Sequence, residues 1–245
     1  MVAVSEMSRT RWPAERVFFL TMTLAMAVTV FVGFSRSFFL RPLFPAWASP
    51  SEPIFYMHGA VFASWFALLV VQASLITAGR VRLHQQLGTL GAGLAPVMVV
   101  LGTLGALIAA RRPTGFFHVP LPPLVFLIVP LVDMVIFPVL VALAIAKRRD
   151  PQSHKRLMLT ASIPLLAAAL ARWPVLIAWG PLAFFGGTDL FLVALIAWDL
   201  KSRGRLHPVT IWAGSLIVLS QPLRLAFAGT SAWMGFAHWA VGLVS

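Results

Sequence analysis

Six histidines are the side chains in this sequence best suited to hold a metal, and four of them form a pattern. His58, His84, His118 and His154 each stand at or near the start of an apolar stretch. If each stretch is a helix and successive helices alternate in direction, two of these rings fall on each side of a bundle. Neutral imidazole is a standard axial ligand of haem iron. Two pairs, one per side, are what two bis-histidine haems in a four-helix core require. For His207 and His238 a simpler reading holds: each is an interfacial residue at the end of an apolar run.

A second set of residues stands where apolar sequence should exclude it. Arg36, Arg172, Arg224, Asp133 and Asp189 interrupt the hydrophobic runs. Ionisable groups at membrane depth are costly and face the bundle interior. Counted along each run at about 1.5 Å per residue, all but Asp133 fall in the half away from the N-terminus, and Asp133 near the middle. Salt bridges that fix helix registry are one use for such residues. The excess of cations suggests another, a pocket for an anionic group, with Gln221, Thr188 and Ser35 adding hydrogen bonds.

These residues need helices to position them, and the composition says which kind. Of 245 residues, 60% are hydrophobic and 11% charged. A soluble domain of this size could not hide that much apolar surface. Runs long enough to cross a bilayer occupy about 17–40, 54–78, 84–110, 122–146, 154–179, 182–200 and 208–228, with an aromatic interfacial tail at 230–245. The expected fold is a single all-α polytopic bundle of about seven transmembrane helices. The apolar run after Arg9, Arg11 and Arg16 is too long for a signal peptide and reads as the first span.

The net charge of +12 is topogenic rather than a nucleic-acid footprint, because the basic residues lie between the runs. With the N-terminus inside, Arg9, Arg11, Arg16, Arg80, Arg82, Lys147, Arg148, Arg149, Lys155, Arg156, Lys201, Arg203 and Arg205 are cytoplasmic. Only Arg41, Arg111 and Arg112 are outside. The expected orientation is N-terminus in and C-terminus out, in a bacterial inner membrane. Cysteine is absent, which excludes thiolate ligands and disulfides. No lysine lies in the interior of a run, Lys155 standing at the edge of one, which excludes a retinal Schiff base. There is no His-Glu-x-x-His motif, phosphate-binding glycine loop or Gly-x-Ser-x-Gly elbow.

Between 54 and 179 the chain resembles the four-histidine, di-haem transmembrane b-type cytochromes. The matching residues are His58-Gly59 with Gln72 in the helix that follows, and then Arg82-Leu83-His84. Two segments are closer to bacterial predicted membrane proteins of unknown function: Leu83 to Gly88, and His154-Lys155-Arg156-Leu157-Met158 through Arg172. The cytochromes have six spans where seven are counted here. His118 lies in a proline-rich stretch, 113–123, so the inner pair is the one carried over. The resemblance implies a redox protein with haem b on His84 and His154, and on His58 and His118 as a second pair. Its partners would be lipid and a quinone or other small redox molecule. Two other classes remain open. One is a non-redox protein that binds or moves an anionic amphiphile through a pocket of Arg36, Arg172, Arg224, Asp133, Asp189 and Gln221. The other is a structural or assembly subunit with membrane-protein partners. No catalytic residue is assigned.

Overall fold

Proline opens five of the described helices, and a glycine with positive φ follows two of them. The computed structural model describes residues 2–47, 50, 52–117, 119–173, 176 and 178–244, with side chains from Pro13 onward. Among them every regular element is helical: α1 (Val2–Phe34), α2 (Pro53–Thr77), α3 (Val81–Arg111), α4 (Pro123–Phe126), α5 (Ile128–Ala146), α6 (Pro151–Ser162), α7 (Ala167–Leu170), α8 (Pro181–Arg203), α9 (Pro208–Phe227) and α10 (Ser231–Gly242). Pro53, Pro123, Pro151, Pro181 and Pro208 each occupy a first-turn position, where the missing N–H removes no helical bond. Gly79 and Gly204 adopt φ of 73° and 69° just past α2 and α8. At Gly79 the Arg80 N–H reaches back to the Leu75 carbonyl, and the Gly79 N–H to Ile76. That tight reversal lets α3 start at once, with His84 in its first turn.

Six helical stretches are long and apolar enough to cross a membrane: Pro13–Phe39, Pro53–Thr77, Val81–Arg111, Pro123–Ala146, Pro181–Arg203 and Pro208–Phe227. The bundle's outside is apolar, with Val135, Leu190 and Leu223 each about two-thirds exposed (64%, 68% and 67%). Lipid is the solvent that tolerates such a surface. The chain is therefore an all-α, multi-pass membrane protein.

The structure adds detail to the expected spans at three places. α1 begins at Val2 and carries Pro13 inside it, and its stretch long and apolar enough to cross, Pro13–Phe39, agrees with the expected 17–40. Hydrophobicity marks where a chain enters lipid, and the helical backbone continues beyond that point. The aromatic tail at 230–245 is helical over Ser231–Gly242. α10 packs back on the bundle through buried Trp233, whose Nε1–H donates to the Leu124 carbonyl at 2.8 Å, while Trp239 is 61% exposed.

The largest revision concerns 154–179, expected as one continuous helix. It is broken into α6, a 3-10 turn at Pro164–Leu166, and α7. Pro164 lacks the N–H that would continue the α-helical ladder. The broken stretch is the most deeply buried part of the chain: Leu157, Leu159, Ile163, Leu166, Ala167 and Ala169 are all at or near zero exposure. Irregular backbone at membrane depth is tolerated where protein surrounds it. At one end Lys155 pairs with Glu15 of α1. At the other, the Arg172 guanidinium lies 4.2 Å from the ring centre of Phe34. Glu15 and Phe34 are roughly 28 Å apart along α1 at 1.5 Å per residue. Residues 155–172 therefore run the same depth as α1 does.

Candidate functional site

The inner histidines meet. His84 and His154 have ring centres 6.3 Å apart and ring planes nearly perpendicular, at 86°. The local sequence explains the placement of His154. Asp150 caps α6, accepting from the N–H groups of Gln152 (3.0 Å) and Ser153 (3.3 Å), and Pro151 follows as the first helical residue. The Ser153 hydroxyl also donates to Asp150 at 2.6 Å, and this bond above all holds the carboxyl below the usual carboxylate range. His154 then sits one turn into α6, its Nδ1 2.8 Å from the Ala144 carbonyl at the end of α5. A carbonyl only accepts, so Nδ1 is the donor in this bond, which leaves Nε2 for another partner. His84 stands beside the Gln72 backbone. Its Nδ1 and the Gln72 Oε1 are both buried without a hydrogen-bond partner.

Of the other expected pair, only His58 falls among the described residues, and His118 lies outside them. His58 stacks on Phe62, with ring centres 4.1 Å apart, and its Nδ1 is 3.4 Å from the Leu101 carbonyl. Its ring forms part of the wall of a cavity of about 220 Å³ at the end of the bundle opposite His84 and His154. Phe34 and Phe38, then Phe62 and Phe66 of α2, Phe126 of α4 and Phe184 of α8 give this cavity an aromatic lining. Arg112, Arg172 and Asp133 are its charged groups.

The five intramembrane charges do not form one cluster. Arg224 donates to Asp133 at 2.8 Å and to the Val129 carbonyl at 3.2 Å, which makes a buried pair between α9 and α5. Asp189 accepts from Gln221 Nε2 at 2.8 Å rather than from an arginine. Arg36 lies over the rings of Trp47 (4.8 Å) and Phe44 (5.8 Å), away from the cavity wall. Arg172 has no carboxylate within ion-pair range among the described residues, and donates to the Ala168 carbonyl one turn back. The six residues expected to share a pocket thus stand as an ion pair, an amide–acid pair, an arginine held on the rings of Phe44 and Trp47, and a cavity arginine. The helices bring the charges to similar depth, but each side chain's azimuth on its helix decides its partner.

The sequence reading missed two features. Arg156 was assigned to a headgroup-facing loop, yet it is fully buried against Asp199 of α8. Arg112 was counted only as an outside charge, yet it lines the cavity, 3.6 Å from Glu52, with its Nε buried and unpartnered. Near the Arg156–Asp199 pair His207 caps α9, its Nδ1 accepting the Val209 N–H at 3.2 Å. Burial first, then Arg156 and Arg203, keeps this ring more easily deprotonated than a free histidine.

Comparison with family models, with curated proteins and with solved structures found no match.

Proposed function

We propose that this chain is a membrane redox protein that holds a b-type haem between His84 and His154. The observation that carries this reading is the 6.3 Å separation of the two ring centres. Two nitrogen–metal bonds of about 2 Å, with the offset of each nitrogen from its ring centre, would span roughly 6 Å between the two imidazole centres. The donor set fits too. The Nδ1 of His154 faces the Ala144 carbonyl, which leaves its Nε2 for another partner, and the His84 Nδ1 and Gln72 Oε1 are buried polar atoms without a hydrogen-bond partner among the described residues. A bound haem would supply one-electron chemistry. The chain's part is to hold the iron from two helix first turns, with Arg80 and Arg82 available to propionates on the exposed turn before His84. A quinone or another small redox molecule is the partner this reading implies.

The reading places the chain in a bacterial inner membrane with seven crossings. The broken stretch from α6 to α7 supplies the seventh, because it runs alongside α1 from Glu15 to Phe34. The N-terminus is then inside and the C-terminus outside.

The test is an absorption spectrum of detergent-purified protein from cells supplied with a haem precursor. A Soret band and a six-coordinate b-type reduced spectrum are expected. His84→Ala and His154→Ala should each lose the band, while His238→Ala keeps it. Well-folded protein that is free of haem would overturn the proposal.

A further inference from the structure

The geometry points to a second ligand site, separate from the histidine pair: the aromatic cavity at the opposite end of the bundle takes a small lipophilic carboxylate, with Arg172 as its anchor. The inference does not depend on a haem at His84 and His154.

Charge complementarity selects an anion. Three charged side chains line the cavity. Asp133 is neutralised by Arg224 from outside the cavity. Arg112 shares Glu52 at 3.6 Å and keeps a buried Nε–H that no acceptor meets. Arg172 has no acid in range among the described residues, and a single backbone carbonyl takes one of its five donors. The cavity therefore holds a positive excess and unused, planar guanidinium donors, which match a carboxylate bidentately. Away from water, such a cation favours a counter-anion strongly.

Size and lining select the rest of the molecule. An apolar cavity of about 150 Å³ accommodates a benzene ring. The 220 Å³ here accepts a single ring with a substituent or one short acyl chain, and is too small for a two-chain phospholipid. Phe34 illustrates the match: its face is already turned to the Arg172 guanidinium at 4.2 Å, so charge and apolar wall meet at one point. His58, stacked on Phe62, adds a polar edge to the wall. A pocket that is mostly apolar with a few convergent polar groups is the usual form of a small-molecule site.

The structure also provides a way to close the cavity without touching its charges. Gly105 of α3 lines it, and an added Cβ there would stand 3.6 Å from His58 Nδ1 and 3.9 Å from the Phe55 ring, ordinary contact distances. Gly105→Ala is therefore accommodated, and Gly105→Leu projects into the space.

The experiment is equilibrium binding of radiolabelled octanoate to the full-length protein in zwitterionic nanodiscs. Saturable binding with one site per chain is expected. Arg172→Gln should weaken it about tenfold or more, the usual cost of losing a charge-assisted hydrogen bond. Arg172→Lys should retain part of it, and Arg36→Gln should retain all of it. Gly105→Leu should abolish binding, and Gly105→Ala, with unchanged thermal unfolding, should weaken it. Octyltrimethylammonium should not compete. Equal affinity in Arg172→Gln, or competition by the cationic amphiphile, would overturn the site. Displacement of octanoate by phosphatidylglycerol in the nanodisc would overturn its assignment to a free acid. None of these readouts involves haem, so failure here leaves the spectral test of His84 and His154 standing, and the reverse is also true.

Discussion

At the scale of single residues, Asp199 is a hub of four hydrogen bonds among the described residues. One carboxylate oxygen accepts from Arg156 Nε at 3.0 Å and from a second guanidinium nitrogen. The other accepts from the His207 N–H at 3.0 Å and the Thr210 hydroxyl at 2.6 Å. Arg156 completes its own set on Gln152, at 3.0 Å to the backbone carbonyl and 2.7 Å to the side-chain oxygen. One acid thus ties α6, the cap of α9 and the body of α9 to α8. Such a network specifies registry more than it adds net stability, but breaking one side strands the other. Asp199→Ala is expected to cost about 3–5 kcal/mol, because Arg156 stays buried without a counter-charge. Asp199→Asn, which still accepts from His207 and Thr210, should cost less. Thermal unfolding in detergent measures both. An Asp199→Ala protein as stable as the parent would show that the pair does not organise this end of the bundle. His154 lies on the same helix as Arg156, so loss of the network should also disturb the His84–His154 separation.

At the scale of elements, the broken stretch from α6 to α7 governs the packing. α1 approaches it closely at Gly33, where an added Cβ would overlap the Ala169 carbonyl oxygen and lie 2.8 Å from that residue's Cα and carbonyl carbon. These are backbone atoms, and they cannot rotate aside. Gly33→Ala is expected to destabilise by about 1–3 kcal/mol as overpacking. Gly214→Ala, on α9 with nothing within 4 Å of the new Cβ, should be neutral or stabilising by up to about 1 kcal/mol through helix propensity. If both variants melt alike, the contact between α1 and α7 is not tight. Most helices were legible in the sequence because lipid requires long apolar runs, and proline or glycine marks their ends, as at Pro53, Gly79, Pro181 and Gly204. The break was not legible. Pro96, Pro138 and Pro222 also lie within apolar runs, yet their helices continue through them. Only tertiary burial distinguishes Pro164. The site was legible in part for a related reason. His84 and His154 are first-turn residues whose position follows from a glycine reversal and an Asp-Pro cap, both local signals. Arg112, Arg156 and Arg172 take roles set by which face of a helix meets which neighbour, and hydropathy carries no such information.

For the whole molecule, contacts sort the chain into two ends, and the ends fit the charge bias. Glu15 with Lys155, His84 with His154, Phe18 stacked on Trp198, and Arg156 with Asp199 and His207 gather at one. Arg36 over Trp47, Glu52 with Arg112, Arg111 donating to the Val244 carbonyl, and Trp233 on Leu124 gather at the other. Removing buried Arg156 from the headgroup-facing set leaves twelve basic residues at the first end, against Arg41, Arg111 and Arg112 at the second. Arg112 is itself partly neutralised by Glu52. The asymmetry that orients a bundle in the membrane therefore survives the one reassignment the structure demands. A single cysteine in this otherwise cysteine-free chain reports it directly. Ser202→Cys, in the last turn of α8, is expected to react with a membrane-impermeant maleimide only after the cells are opened. Ala46→Cys, exposed in the loop between α1 and α2, is expected to react in intact spheroplasts. The same pattern carries the count of crossings. α5 and α8 both end at the first side, and on the proposed seven-crossing reading residues 155–172 make the traverse between them. If the two cysteines label in the reverse order, the cavity faces the cytoplasm and the histidine pair faces outward, which would move the expected carboxylate and the electron partner to opposite compartments. If both label from one side, the broken stretch does not cross, and the bundle has six spans.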